Sequence, residues 1–535
     1  MAYEMYPWQE ACLNKWRSCG TVGCVSAVTG SGKTILALYA IKDLEASLPA
    51  SGASGDAGLL RVRIVVPTIA IMRQWLRSLR SIGEAIGLTN LSGTEIGCRC
   101  GEYKCRSDCK YIVYVVNSAR DTLAAQIRKE LELGYDVLLI ADECHHYYSR
   151  ENRKIFDFEP LPSFVQSRYH ALGLSATPNL PAKDPLIAQA LGTILFQYDF
   201  REAAVQERIS PYAILQIKLH FNGKEQIEYN RYSAALNLLI RRLTQQYPFL
   251  RELSGPAFYM AIKSLAHDPA NPDETAASFL QTAYKRKELV SLAESRTACL
   301  VTLLTILEPT DRVLIFSERI RQADTVYTAL LPLFGGQLGR YHSGLSSENN
   351  RQTLRAFRDG DLRILISCKA LDEGVDVPDA NIGIILSGTS VPRQRIQRLG
   401  RILRRSEGKA MASLYYLYIA ESAEDAAYLP DQELSDNIIS LEFDHNDNSF
   451  SNELYEQAAI GVLEDLSSES KDALQISEAR HCLMEGIALS DWLCPEEVCA
   501  QRAAEASTAH LRNYWLCMRR MQLHWQQLRQ GMESS

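Results

Sequence analysis

The 535-residue chain has no excess of positive charge: 57 Lys and Arg against 64 Asp and Glu leave a net charge of −7. No global basic field advertises a polyanionic partner, so any groove for one has to be local. Long hydrophobic runs are also missing, none approaching the ~18 residues that a membrane helix needs. Met1-Ala2-Tyr3-Glu4 lacks a basic start followed by an apolar stretch. The expectation is a cytoplasmic protein with no membrane contact. A disulfide framework is excluded in the same way, because the 14 cysteines stand at irregular positions, as in a reducing compartment. With 46% hydrophobic and 23% charged residues, what remains is a globular chain long enough for about two to four domains.

Against that background one stretch stands out. Ala27-Val28-Thr29-Gly30-Ser31-Gly32-Lys33-Thr34 lies between an apolar segment and a helix-like run from Ile35 to Leu44. Gly30 and Gly32 permit the tight turns that aim successive N–H groups at phosphate oxygens. Lys33 would reach the β and γ phosphates, Thr34 would hold Mg²⁺, and the following helix adds its positive N-terminal end. Ala27 stands where the usual pattern has a first glycine. The apolar run Val137 to Ala141 reads as a buried parallel strand that delivers Asp142-Glu143-Cys144-His145 at its C-terminal edge. Asp142 is the candidate for the metal, through water, and Glu143 the candidate base for the attacking water. Together the two motifs predict ATP hydrolysis.

Other segments carry weaker signals. Gln9 offers a donor and an acceptor to an adenine edge and Trp8 an aromatic surface; the alternative is a helix entry with a buried tryptophan. Val62 to Val66 predicts a strand ending at Pro67-Thr68, with Met72, Trp75 and Leu79 on one face of the helix after it. Cys98, Cys100, Cys105 and Cys109, with Gly97 and Gly101 to bend the chain, form a candidate tetrahedral Zn²⁺ site. Their C-x-C-x4-C-x3-C spacing equally allows free thiols in a β-hairpin. A further strand, Ala171 to Leu174, ends in Ser175-Ala176-Thr177-Pro178, small hydroxyl residues able to bond across a crevice.

A second strand–helix alternation begins near Arg312, with strands at Val313 to Phe316, Ile364 to Ser367 and Ile382 to Leu386. Ser317 and His342 follow strand-like segments and are candidate nucleic-acid contacts. The run Arg393 to Arg405 combines arginines with a buried stripe of Ile396, Leu399, Ile402 and Leu403. Guanidinium groups fixed on a rigid element suit spreading phosphate charge.

These motifs, in this order, resemble those of superfamily 2 helicases, and within them the XPB-like and type III restriction-subunit branch, which acts mostly on DNA. Thr29 to Thr34 looks like motif I, Asp142 to His145 like motif II and Ser175-Ala176-Thr177 like motif III. Pro67, Thr68 and Gln74 resemble motif Ia, which touches the phosphates of the tracked strand. Pro7-Trp8-Gln9 is similar to the adenine-side element, with Tyr6 where arginine is common and Trp8 where tyrosine is common. The resemblance implies that Gly374 and Asp376 act as motif V, linking ATP to the nucleic-acid backbone. It places Gln397 beside the hydrolytic water, with Arg401 and Arg404 as arginine fingers. Cys368 stands where many relatives carry a phosphate-contacting threonine.

The expected fold is α/β, with two tandem RecA-like parallel-sheet domains, a helical insertion and a helical C-terminal extension. The expected boundaries are 1–215 and 300–430 for the two domains, 216–299 for the insertion and 431–535 for the extension. The insertion carries Leu236, Leu239 and Leu243 on one face and a basic Lys285-Arg286-Lys287. It reads as a thumb-like guide for DNA or as a packing insertion. The extension, with Trp492, Trp515 and Trp525, is an expected docking region for a protein partner such as a nuclease or defence-complex subunit. Binding of ATP between the domains and its hydrolysis would alternate their grip on a phosphate backbone. The expected activity is that of an ATP-dependent DNA helicase or duplex-DNA translocase in repair or anti-phage defence. An RNA helicase and an ATP-gated scaffold that recruits a nuclease are the alternatives.

Overall fold

The computed structural model describes residues 4–48, 60–101, 103–177, 184–199, 202–203, 206, 210, 212–368, 380–387, 411–422, 424, 438–469 and 472–533. They fall into two compact units, the second beginning at Tyr212. The principal elements of the first are α1 (Pro7–Ser18), β1 (Val22–Ala27), α2 (Lys33–Ser47), β2 (Leu60–Val66), α3 (Ile69–Ile86), β3 (Ile96–Cys100), β4 (Tyr103–Lys104), β5 (Tyr111–Val115), α4 (Leu123–Glu132), β6 (Asp136–Asp142), β7 (Tyr169–Ser175), α5 (Pro185–Leu191) and β8 (Ile194–Tyr198). Eight strands make one sheet in the order β4-β3-β5-β2-β6-β7-β1-β8. All pairings are parallel except the β3–β4 hairpin.

Parallel sheets are covered on both faces, which is why their strands are greasy throughout. β6 is buried at every position from Asp136 to Asp142. β2 breaks the rule with Arg63, fully buried in mid-strand. Its guanidinium pairs with Glu130 of α4, Nε donating to Oε2 at 3.0 Å, and its Nη1 also donates to the carbonyls of Cys109 and Lys110. The residue holds three chain segments together from inside the core.

The second unit comprises β9 (Tyr212–Leu219), α6 (Gly223–Gln246), α7 (Gly255–Ala266), α8 (Glu274–Ser291), α9 (Glu294–Ile306), β10 (Val313–Ser317), α10 (Ile320–Phe334), β11 (Leu338–Tyr341), α11 (Ser347–Asp359), β12 (Ile364–Cys368), β13 (Ile382–Ile385), β14 (Ala412–Ile419), β15 (Ile438–Asp444), β16 (Ser449–Ser451), α12 (Glu453–Glu469), α13 (Ala473–Gly486), α14 (Glu496–Glu505) and α15 (Ala509–Glu533). Its sheet runs β11-β12-β10-β13-β14-β9-β15-β16. Two of these strands depart from the expected boundaries. β9, cut by a boundary at 215, lies in the second sheet, parallel to β14 from Ala412↔Tyr212 to Ile419↔Leu219. β15 pairs with β9 in turn, so the C-terminal extension opens with strands before it turns helical. Its helices share the core of the second sheet: Tyr455, Val462, Cys482 and Met518 cluster with Ile217 and Leu417. Trp515 is buried there and carries the Arg502 guanidinium 4.2 Å above its ring.

The insertion is helical as expected. Asn222 and Glu225 close a capping box at the start of α6, and α6, α7 and α8 surround a small core of Leu236, Leu243, Leu250, Ile262, Ala276 and Phe279. The stretch Glu274–Ile306 contains an apolar window of mean hydropathy 1.5, half of it buried. The chain turns at Leu292 and Ala293, so that this stretch forms the two helices α8 and α9.

Removing one partner of a buried ion pair leaves an uncompensated charge. Glu130→Ala is expected to destabilise the first unit by about 3–5 kcal/mol, and Arg63→Met with Glu130→Leu to recover most of that. Denaturant midpoints of the two variants check it, and equal midpoints would mean that Arg63 does not tie these segments together.

Candidate nucleotide site

Because β7 lies between β6 and β1, the loops leaving β1 and β6 emerge side by side at one edge of the sheet. The first is the glycine-rich loop. Gly30 and Gly32 have φ of 87° and 95°, a conformation that favours glycine. A Cβ on Gly32 would lie 2.7 Å from Gln9 Nε2. The loop delivers its N–H groups to the first turn of α2, whose start lacks intrahelical partners. Ser31 is buried and donates from Oγ to the Val28 carbonyl at 2.7 Å. Lys33 Nζ donates to the Ala27 carbonyl at 3.0 Å. Thr29 and Thr34 border the same turn.

The second loop starts at Asp142, buried at the end of β6. Trp75 Nε1, from α3, donates to Asp142 Oδ2 at 2.7 Å, and the Glu143 N–H donates to Oδ1 at 3.1 Å. Burial pushes the Asp142 carboxyl above the ordinary aspartate range, opposed by the Trp75 N–H and the Lys33 charge. Lysine and aspartate therefore act on one another within one site. Glu143 holds φ 49° and ψ 51°, a left-handed conformation uncommon for a side-chain-bearing residue and concentrated at functional sites. His145 Nδ1 lies 3.5 Å from Glu143 Oε2 and 2.7 Å from Ser175 Oγ, which also accepts the Thr177 N–H at 3.0 Å. A polar chain thus runs from the end of β6 to the end of β7. Tyr147 OH reaches the carbonyls of Asp142 at 2.6 Å and Val65 at 3.0 Å, fixing the turn from below.

A glycine cradle, a lysine, a helix start and a buried carboxylate with a glutamate beside it fit a Mg²⁺–nucleoside triphosphate. Thr34 and Asp142 are the residues that would hold such a metal. At Trp8 the structure contains the alternative, a buried tryptophan at a helix entry. Trp8 is buried and stacks on Tyr198, with ring centroids 4.7 Å apart. Gln9 accepts the Tyr6 N–H at 2.8 Å and donates to the Gly32 carbonyl at 3.0 Å, bracing the glycine loop.

Pro67, Thr68, Gln74 and Thr177 are half-buried, and the first two sit where β2 passes into α3. Ser175, Ser317 and His342 are buried, with their polar atoms engaged inside the protein. Ser317 Oγ is 2.7 Å from Gln322 Oε1, and His342 Nε2 is 3.2 Å from Asp324 while its Nδ1 accepts the Gly344 N–H. Direct contact of these three with a phosphate backbone is therefore corrected to internal support. Gly374, Asp376, Gln397, Arg401 and Arg404 lie outside the described residues.

The zinc expectation does not hold. Gly97 and Arg99 share the face of the sheet that holds Ile112 and Tyr114, whereas Cys98 aligns with Val113 on the other. A Cβ on Gly97 would meet Cys105 Sγ at 2.5 Å and Cys109 Sγ at 3.3 Å, so that pair lies on the Gly97 face. Cys98 and Cys100, two residues apart on β3, share the opposite face. Period-two alternation along β3 splits the four thiols into two pairs, and among the described residues no group of three or more ligands gathers. The alternative of free thiols in a hairpin is what the structure contains.

Two parallel-sheet units, one with a glycine-rich loop and an acid pair at its sheet edge, have the form of a nucleotide-dependent enzyme core. Residues 2–180 match the type III restriction enzyme res-subunit family and residues 295–406 the helicase conserved C-terminal domain. The DNA 3'-5' translocase XPB2 of Sulfurisphaera tokodaii is 25% identical over 393 residues, 73% of this chain and 76% of the relative. Putative helicase 22 of Sulfolobus islandicus filamentous virus is 24% identical over 416 residues, 76% of this chain and 63% of its own. Among solved structures, a fragment of a putative HsdR subunit of a type I restriction enzyme from Vibrio vulnificus aligns with TM-score 0.51 at 17% identity, covering 84% of this chain and 71% of that one. The ATP-dependent Type ISP restriction-modification enzyme LlaBIII bound to DNA aligns with TM-score 0.50 at 12% identity, covering 100% and 42%. The chain is a superfamily 2 helicase of the XPB-like and type III restriction-subunit branch.

The sequence pattern places Trp75 on the apolar face of a helix, and in the structure its N–H also orients the Asp142 carboxylate. Trp75→Phe keeps the packing and removes that donor. It is expected to raise the Mg²⁺ concentration for half-maximal nucleotide binding about tenfold. A fluorescent-nucleotide titration at varied Mg²⁺ checks this, and an unchanged half-saturation would sink it.

Proposed function

We propose that the chain is a DNA-stimulated ATPase that moves on DNA, as a helicase or a duplex translocase. What supports DNA as the polymer is the likeness to a DNA translocase over a length that spans both units. The observation that carries the motor reading is the Trp75–Asp142 hydrogen bond. It ties α3, which begins at the proposed backbone contact Pro67-Thr68, to the proposed metal-binding carboxylate.

In this reading the N–H groups of Thr29 to Thr34 and the Lys33 ammonium hold the phosphates. Thr34 and Asp142 would hold Mg²⁺, which would supply neutralisation of the charge developing on the phosphates. Glu143 accepts a proton from the attacking water, with His145 and Ser175 fixing the carboxylate's direction. Gln397, Arg401 and Arg404 complete the site by family resemblance, and Gly374 and Asp376 link it to the backbone. Contacts of this kind read phosphate rather than base edges, so binding is salt-sensitive and not sequence-specific. Relatives among restriction enzymes favour a role in defence or repair.

Steady-state ATPase rates without polymer and with single-stranded DNA, duplex DNA or RNA test the reading. DNA is expected to raise the rate about tenfold or more, and Lys33→Ala or Glu143→Gln to remove about 100-fold or more of it. Equal or greater stimulation by RNA would make this an RNA helicase. DNA stimulation without displacement of a strand or triplex would make it an ATP-gated scaffold.

A further inference from the structure

The last turn of α8, where the helical insertion rejoins the second sheet, is held by two buried side chains of opposite character. Gln322, at the start of α10, is 2% exposed. Its Nε2 donates to the Ser291 carbonyl, and its Oε1 receives Ser317 Oγ at 2.7 Å and Ser387 Oγ at 2.9 Å. Arg296, equally buried, donates from Nε to the Val290 carbonyl at 2.8 Å. Its Nη1 donates to the carbonyls of Leu386 and Leu417, and its Nη2 pairs with Glu424. The Ser291 and Val290 carbonyls belong to the last turn of a helix, where intrahelical donors run out. Both are taken up by side chains whose other atoms hold the end of β13.

The same helix grips the loop after β10 from outside. Lys287 Nζ lies 2.9 Å from Glu318 Oε2, Glu288 pairs with Arg321 at 2.6 Å, and the Arg319 guanidinium sits 4.4 Å above the Tyr284 ring. The C-terminal half of α8 is thus joined to two segments at the C-terminal edge of the second sheet, Ser317–Arg319 and Leu386–Ser387. No shift of α8 relative to these segments is possible without breaking buried polar bonds, each costing about 1–3 kcal/mol when left unmade.

We infer that Gln322 and Arg296 are positioning residues that couple the helical insertion to ATP turnover: engagement of the insertion by a polymer moves α8, and these side chains carry the movement to the sheet edge. The inference rests on the proposed function for the identity of the polymer and of the reaction. A merely structural role would change the fraction of active protein and scale basal and stimulated rates together. A coupling role changes their ratio.

The test is the ratio of DNA-stimulated to basal kcat, measured with the KM for ATP and with Tm on the full chain. Gln322→Met is expected to lower the ratio about fivefold or more, with the KM for ATP within about twofold. Because a core variant can fail to fold, the pair of exposed Lys287 and buried Glu318 supplies a second test by charge reversal. Lys287→Glu is expected to lower the ratio, and Lys287→Glu with Glu318→Lys to restore it, the non-additivity reporting direct coupling. An unchanged ratio in Gln322→Met, or in Lys287→Glu where Gln322→Met does not fold, overturns the coupling while the motor reading stands. Absence of stimulation in the unaltered protein overturns the motor reading, and the coupling with it.

Discussion

A carboxylate at the end of a strand buried along its whole length has to be satisfied by groups brought from elsewhere, and the first unit is arranged around that demand. Asp142 receives an indole N–H from α3, a backbone N–H from the turn that follows it and the field of Lys33 from α2. Each donor belongs to a different element, so the carboxylate fixes how those elements pack. The strand between the two loops must in turn be thin. Gly173 of β7 supplies this, since a Cβ there would come within 2.4 Å of Cys24 Sγ and 3.6 Å of Cys144 Sγ. The thiols of β1 and of the acid turn meet over that glycine, and the two halves of the nucleotide site stay one strand apart.

The second unit meets a topological demand instead. Its sheet takes β9 from before the insertion and β15 from after β14, so the insertion and the C-terminal helices both depart from strands of one sheet. A helical bundle with only a small core of its own gains a fixed orientation from such an anchor. The anchor is partly apolar, with Tyr229 and Val290 in the core of the second sheet, and partly polar, through Gln322 and Arg296. Apolar packing is non-directional and accepts small sliding displacements, whereas the bonds of Gln322 and Arg296 hold at one geometry.

Much of this was legible in the sequence where the chemistry is local. Val137 to Ala141 is unbroken in its hydrophobicity and became β6, one residue longer at each end. The turns at Gly30 and Gly32 follow from residues that alone favour positive φ. What stayed hidden depends on partners far apart in the chain. Arg63 in a greasy strand gives no sign that Glu130 awaits it, and Trp75 shows its apolar face in a helical repeat while its N–H is invisible. β9 is apolar from Tyr212 to Leu215 and alternates only beyond it, and nothing local says that it joins β14 rather than β8. The four cysteines misled because spacing along a chain says nothing of faces: residues 97 and 98 on one strand point to opposite sides of the sheet. Gln9 and Trp8 are the intermediate case. Their position beside the glycine loop and the alternative of a buried tryptophan were readable, but that Gln9 braces the Gly32 carbonyl was not.

The two units share one device, a buried polar side chain that bonds to backbone of separate segments, and its energetics explain why it recurs. In a low-dielectric interior, a satisfied network holds one arrangement firmly, while a half-satisfied one is worse than an apolar core. Intermediate positions are therefore penalised and the elements it joins favour discrete arrangements. Coupling free energies of about 1–3 kcal/mol match the loss of one or two such bonds. Hubs such as Asp142 with Trp75, and Gln322 with Ser317, Ser387 and the Ser291 carbonyl, are of the right size to be remade within a turnover. An apolar core of the extent seen beneath β9 and β14 is too large for that.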